Sequence, residues 1–125
     1  MKKSVTLKIK DKSYILEFNV KKLAQLERSL GGRSLTYLLE LVNANPTIYA
    51  NIFTIDFVKN ALEAGIVNQP DNFDGYDFID QYCQNDSLSE LTSQVLKAIY
   101  ITGLFIKGPA DEARKVIEEL SKLGA

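Results

Sequence analysis

The sequence predicts a small α+β fold, mostly α, in which an N-terminal β-hairpin is followed by about six helices packed as a single domain over residues 1–125. Three observations predict it. The chain has 125 residues, about the length of one domain. Apolar residues alternate with polar ones at the start, which is the period of a half-buried strand, and later recur every three or four residues, as in helices. Hydrophobic residues make up 46% of the chain, which is enough for a core without disulfides or metal.

The hairpin is predicted over residues 1–19. Inward positions are taken first by Val5, Leu7 and Ile9 and then, after a polar link, by Tyr14, Leu16 and Phe18. Polar residues, including lysines, stand between them. A two-stranded ribbon is marginally stable alone, so it has to pack against the rest of the chain.

Helices are predicted over residues 20–66. The first begins with Asn19 as its N-cap and ends at Gly31, a residue suited to the left-handed conformation after a helix. The second begins near Ser34 and ends before Pro46. A third runs from about residue 47 or 54 to residue 63, and we expect Gly65 to end it.

The second half is predicted as an acidic loop over residues 67–75 and C-terminal helices over residues 76–125. The first of these helices is short, over residues 76–84. Ser87 and Glu90 form a capping box before a long helix that reaches about Lys107. A last helix begins at Pro109, a residue favoured at the first helical position.

The long helix carries two apolar stripes. One contains Leu88, Leu91, Val95 and Ile99. The other supplies our candidate partner-binding residues, which are Leu96, Tyr100, Ile101 and Leu104. A helix that is apolar nearly all round is either central in the fold or covered by a partner, and both interpretations stay open. If a partner binds there, Leu96, Tyr100 and Leu104 should be partly exposed, with Tyr100 as the main anchor.

Charge is distributed unevenly, although the net charge is only −1. Residues 1–33 hold nine Lys or Arg against three Asp or Glu, whereas residues 34–96 hold one against nine. Two opposite poles suit head-to-tail association or steered docking. Alternatively, the poles lie close together in the fold and largely cancel. No apolar run has the length of a secretion signal or a membrane span, so we expect a cytoplasmic protein.

The residue types needed for common catalytic sites are missing. The chain has no histidine, and its one Gly-Gly pair follows a predicted helix rather than a strand. Cys83 has no histidine to activate it and is expected to act as a small buried apolar residue. Placing Gly75 at the glycine position of a calcium loop puts Pro70 and Gln81 where carboxylates are needed. The sequence therefore predicts no enzyme, no cofactor and no metal site, and the acidic middle disfavours nucleic-acid binding.

Residues 18–32 carry a recognisable pattern, Phe-Asn-x-x-x-Leu-x-x-Leu-Glu-x-x-Leu-Gly after a short hairpin. Here it is formed by Phe18, Asn19, Leu23, Leu26, Glu27, Leu30 and Gly31. This pattern resembles the tail assembly chaperones of long-tailed (siphovirus-type) bacteriophages and prophages. The similarity continues to about residue 85, through Ala64–Gly65 and the segment 76–80, and is limited to helical character beyond.

The resemblance implies a non-enzymatic chaperone that binds the tape-measure protein and helps to recruit tail-tube protein during tail assembly. It also implies a homo-oligomer, residence in the host cytoplasm and absence from the mature virion. Many such proteins have a longer form made by ribosomal frameshifting, and this chain would match the shorter one. The alternative is a small phage or bacterial regulatory protein that acts by binding protein or nucleic acid.

Overall fold

The computed structural model describes residues 3–105 as an antiparallel hairpin followed by six α-helices, which confirms the α+β, mostly helical fold. A 3-10 turn, Pro46–Ile48, precedes the third helix. The predicted helix after Pro109 lies outside the described residues. The elements are β1 Ser4–Ile9, β2 Lys12–Glu17, α1 Val20–Ser29, α2 Leu35–Ala44, α3 Tyr49–Ile52, α4 Ile55–Gly65, α5 Gly75–Tyr82 and α6 Leu88–Tyr100.

The hairpin forms as the alternation predicts. Ile9 pairs with Lys12 across a two-residue turn, in which Lys10 has a φ of 56°. The inward side chains of β1 are all buried, and Leu16 of β2 is completely inaccessible. Hence one face of the ribbon contributes to the core and the other meets solvent.

Helix α1 has the predicted start and end. The Asn19 side chain accepts a hydrogen bond from the Lys22 N–H at 2.9 Å. At the other end Gly31 and Gly32 have φ values of 78° and 81°, and the Gly32 N–H donates to the Glu27 carbonyl at 2.9 Å. This is a Schellman turn, and its left-handed residues are the reason for the glycine pair.

Of the two starts predicted for the third helix, the one at residue 54 is observed, and residues 49–52 form a separate short helix. Helix α3 is a single turn, and the chain then turns through Phe53 before α4 begins, with the Thr54 hydroxyl accepting from the Phe57 N–H at 3.2 Å. The expectation that Gly65 ends the helix is confirmed, because Gly65 is the last residue of α4, two residues beyond the predicted bound at residue 63. A Cβ atom there would lie 2.7 Å from Leu16 Cδ1 and 2.7 Å from Phe18 Cζ. Gly65 therefore allows α4 to approach the hairpin closely.

The segment after α4 closes the outer edge of β2. The Val67 N–H donates to the Ile15 carbonyl at 2.8 Å. The Asn68 side chain accepts from the Ile15 N–H at 2.8 Å and donates to the Ser13 carbonyl at 3.0 Å. The start of the predicted acidic loop thus satisfies the backbone groups that β2 turns away from β1.

Helix α6 lies at the centre of the molecule and is contacted by both strands, α4 and α5. Its buried residues belong to the same hydrophobic core as those of the hairpin, α1, α2, α4 and α5. In the part of the chain covered by these elements, no helix is both long and apolar enough to cross a membrane.

Candidate protein-binding surfaces

The second stripe of α6 is mostly core. Leu96 and Tyr100 are 1% and 2% exposed, so the prediction that they are partly exposed is wrong. Between residues 91 and 100 only Gln94 and Lys97 are not buried. The physical reason is the central position of α6, because its neighbours on several sides cover Leu96 and Tyr100. Of the two interpretations, the central helix is the one observed.

Helix α6 also ends earlier than predicted, at Tyr100 rather than near Lys107. The Thr102 hydroxyl donates to the Ile99 carbonyl at 2.7 Å, and Gly103 takes a φ of 76°. The four candidate residues are thus divided: Leu96 and Tyr100 lie within α6, whereas Ile101 and Leu104 follow its end. Ile101 is half-buried and Leu104 is 47% exposed, so of the four only Leu104 is well exposed to solvent.

Two tyrosine hydroxyls are buried without a hydrogen-bond partner in the described structure, those of Tyr49 and Tyr100. Burial raises the pKa of each phenol to about 12, and the neighbouring polar side chains of Ser93 and Asn43, respectively, offset this only in part. An unpaired buried hydroxyl costs stability. The stabilising part of Tyr100 is therefore its ring, which fills the core at the end of α6.

A groove between α3, the start of α4 and the start of α6 is a candidate binding surface. Its volume is about 410 Å³, and no charged residue lines it. Ile55 stands at the groove with 52% of its surface exposed, and Leu88 is half-buried. Four apolar residues and four residues with hydroxyl groups form the walls: Tyr49, Ala50, Phe53, Thr54, Ile55, Leu88, Ser89 and Thr92.

Sequence reasoning missed this groove because it depends on the break between α3 and α4. A single helix through residues 47–63 would leave no notch beside α6. The alternative start at residue 54 already contained this break, since Thr54 stands directly before the apolar run of α4 as a good N-cap residue. The ring of Phe53 lies 4.9 Å from those of both Tyr49 and Phe57, which stabilises the chain where it bends.

The residues that carry the family resemblance form the frame of the fold. Phe18, Leu23 and Leu26 are core residues, and Asn19 and Gly31 fix the two ends of α1. Glu27 has the most specific position, because its Oε2 accepts from the Leu35 N–H at 2.8 Å and so joins α1 to the start of α2. The motif thus describes how the fold is built rather than a binding surface.

The acidic segment 71–80 has structural contacts of its own. The Asp74 side chain accepts from the Tyr76 N–H at 2.9 Å as the N-cap of α5, and the Tyr76 hydroxyl donates to Asp56 at 2.8 Å. No group of three or more metal-ligating side chains occurs among residues 3–105. Cys83 is half-buried, and burial is the main cause that raises its thiol pKa, which keeps the thiolate fraction low.

The two charge poles are neighbours in space, because α5 packs against β1. They do not form ion pairs with one another, since the one salt bridge within residues 3–105 joins Lys59 to Glu63 at 3.1 Å. Lys8, Lys10 and Lys12 stay exposed on the hairpin. Proximity therefore reduces the long-range field of the two poles but leaves the hairpin locally basic.

No protein-family model, curated protein or solved structure matches this chain. Its function is therefore inferred from its own residues and surfaces.

Proposed function

We propose that this protein is a non-enzymatic tail assembly chaperone, which holds a helical tape-measure protein in solution and helps to recruit tail-tube protein. The observation that carries the proposal is the uncharged groove between α3, α4 and α6. Grooves of this kind accept the apolar face of an amphipathic helix. The pattern of residues 18–32 supports the choice of family. Binding would take place in the host cytoplasm, before the tail is complete.

Ile55 is the best anchor for such a helix. It is 52% exposed although it is a large aliphatic side chain, and it occupies the first position of α4. A bound client would remove this surface from water, which favours association by roughly 25 cal/mol per Å² of apolar area. Because the groove has no charge, affinity would depend weakly on salt. The exposed charges elsewhere on the surface would keep the complex in solution.

The test is co-expression with the tape-measure protein from the same genome. Ile55→Glu should abolish co-purification and leave the client insoluble, because it places a charge in the apolar groove. The domain should stay folded, since an acidic residue at a helix N-terminus is favourable. Tyr37→Glu is the matched control, because Tyr37 is 58% exposed in the first turn of α2 and does not line the groove.

Retention of the client by the wild type and by Tyr37→Glu, with loss in Ile55→Glu, supports the proposal. Equal retention by all three proteins would place the binding surface elsewhere. The alternative regulatory role is tested with the same purified protein, by its retention on DNA. Salt-sensitive retention on DNA that is lost when Lys8, Lys10 and Lys12 are replaced would favour a nucleic-acid-binding regulator, because those lysines have no acidic partner among residues 3–105.

A further inference from the structure

The two edges of the hairpin differ. On β2, Ile15 uses both of its backbone groups away from β1, towards Val67 and Asn68. In an antiparallel pair, residues directly opposite each other either bond to one another or both turn away. Thr6 is opposite Ile15, and Lys8 is opposite Ser13, whose carbonyl also points outward. The backbone groups of Thr6 and Lys8 therefore point out of the open edge of β1.

This edge is accessible. Thr6 and Lys8 are exposed, Ser4 is half-buried, and none of the three has an outward backbone hydrogen bond to any residue between 3 and 105. Together they offer three N–H and three C=O groups, in the arrangement that an added strand would need. Within residues 3–105, Val67 and Asn68 close one edge of the hairpin and the other edge is open.

We propose that the open edge of β1 binds an extended acidic segment of a partner protein by strand addition. Charge complementarity selects the occupant. Lys8, Lys10 and Lys12 are exposed with no carboxylate within salt-bridge distance among the described residues. Acidic side chains on the solvent face of an added strand would come opposite Lys8, and opposite charges at such positions are favourable. A second β1 strand would instead bring its own Lys8 to the same face.

The pleat specifies the rest of the ligand. Val5, Leu7 and Ile9 face the core side of the ribbon, so the residues that neighbour them on the added strand must be apolar. The expected ligand is therefore a strand about as long as β1, six residues, with glutamate or aspartate alternating with β-branched apolar residues. Its backbone hydrogen bonds give affinity and its alternation gives specificity.

The probe is a fluorescein-labelled peptide in which valine alternates with glutamate, with the same peptide carrying lysine for glutamate as its control. Anisotropy should detect the acidic peptide and not the basic one. Lys8→Glu should weaken binding by about tenfold or more, whereas Lys8→Gln should have a smaller effect. NMR should show slower amide exchange at Ser4, Thr6 and Lys8 in the complex.

Backbone pairing is tested separately from charge. Thr6→Pro removes an outward N–H and keeps the ladder to β2 intact, as proline is tolerated on edge strands. Binding should be lost in Thr6→Pro and kept in Thr6→Val. If Thr6→Pro does not fold, two peptides N-methylated at alternate amides test the same bonds. In one of them the methylated amides face β1, and this peptide should not bind.

Two results would overturn the proposal. In one, the peptide gives neither anisotropy change nor amide protection at any concentration reached. In the other, the same amides become protected without peptide as protein concentration rises, which would make a second copy of β1 the occupant. Because β1 and the α3–α6 groove are separate surfaces, Ile55→Glu should leave peptide binding unchanged. Failure at one surface is therefore distinguishable from failure at the other.

Discussion

At the scale of single residues, the structure separates side chains by role where the sequence could only group them by type. Tyr100 was expected to be an interface anchor, because tyrosine is common at such sites and lies on a second apolar stripe. It is instead only 2% exposed, and its hydroxyl has no hydrogen-bond partner among residues 3–105. Helical periodicity places Tyr100 on a face but does not say what covers that face.

Substitutions at Tyr100 should separate the contribution of the ring to stability from that of the hydroxyl. Tyr100→Ala should lower the free energy of unfolding by about 3–5 kcal/mol, because it leaves a large cavity in the core. Tyr100→Phe should be neutral or stabilising, since it removes an unsatisfied buried hydroxyl. Urea unfolding followed by circular dichroism measures both. A mild Tyr100→Ala with a strongly destabilising Tyr100→Phe would mean that the hydroxyl has a partner after all.

Alkaline pH should destabilise the fold through the same group. Burial raises the pKa of Tyr100 to about 12, as it does for Tyr49 and Tyr82. Between its unfolded value near 10 and this folded value, the unfolded state releases a proton that the folded state keeps, so stability falls as pH rises. One group contributes a slope of at most about 1.4 kcal/mol per pH unit.

Tyr100→Phe isolates this contribution, because the other groups that titrate at alkaline pH do so equally in the wild type and in the variant. The stability of the variant relative to wild type should rise steadily above about pH 10. A constant difference across this range would show that the phenol is not shielded in the native state.

At the scale of elements, local signals predicted how helices begin and end, and contact between distant elements decided the rest. The Asn19 cap, the Gly31–Gly32 turn and the Ser87 cap, which accepts from the Glu90 N–H at 3.0 Å, could all be inferred from short patterns. Gly65 could not. Its role depends on Leu16 and Phe18, some fifty residues earlier in the chain, which no local pattern reveals.

The sign of the stability change in Gly65→Ala therefore tests this close approach. In an exposed helix this substitution stabilises by about 1 kcal/mol. Here the new Cβ would lie 2.7 Å from Leu16 Cδ1, so we expect a loss of roughly 1–3 kcal/mol through overpacking. Thermal and urea unfolding measure the change.

Leu16→Val gives the matching control for the Leu16 part of this clash, because it removes the methylene that allows Leu16 to reach Gly65. The contact with Phe18 Cζ at 2.7 Å remains. If the clash is the cause, the losses in the double variant should be less than additive. A stabilised Gly65→Ala protein would mean that α4 and the hairpin are not in close contact.

At the scale of the whole molecule, the fold class followed from the sequence and the binding surface did not. Periodicity identified the hairpin, the helices and an unusually apolar α6. Whether α6 was central or exposed depended on the packing of four other elements around it. The groove arises from the break at Phe53 and from the placement of α3 beside α6, and both are consequences of tertiary packing.

The central claim is that this protein works by binding a helical client in the α3–α6 groove. Hydrogen–deuterium exchange of the chain, alone and with a soluble tape-measure fragment, tests it most directly. We expect slower exchange in residues 46–55 and 88–92 on binding, and no such change with Ile55→Glu. Slower exchange confined to other segments, or equal protection in Ile55→Glu, would contradict the claim.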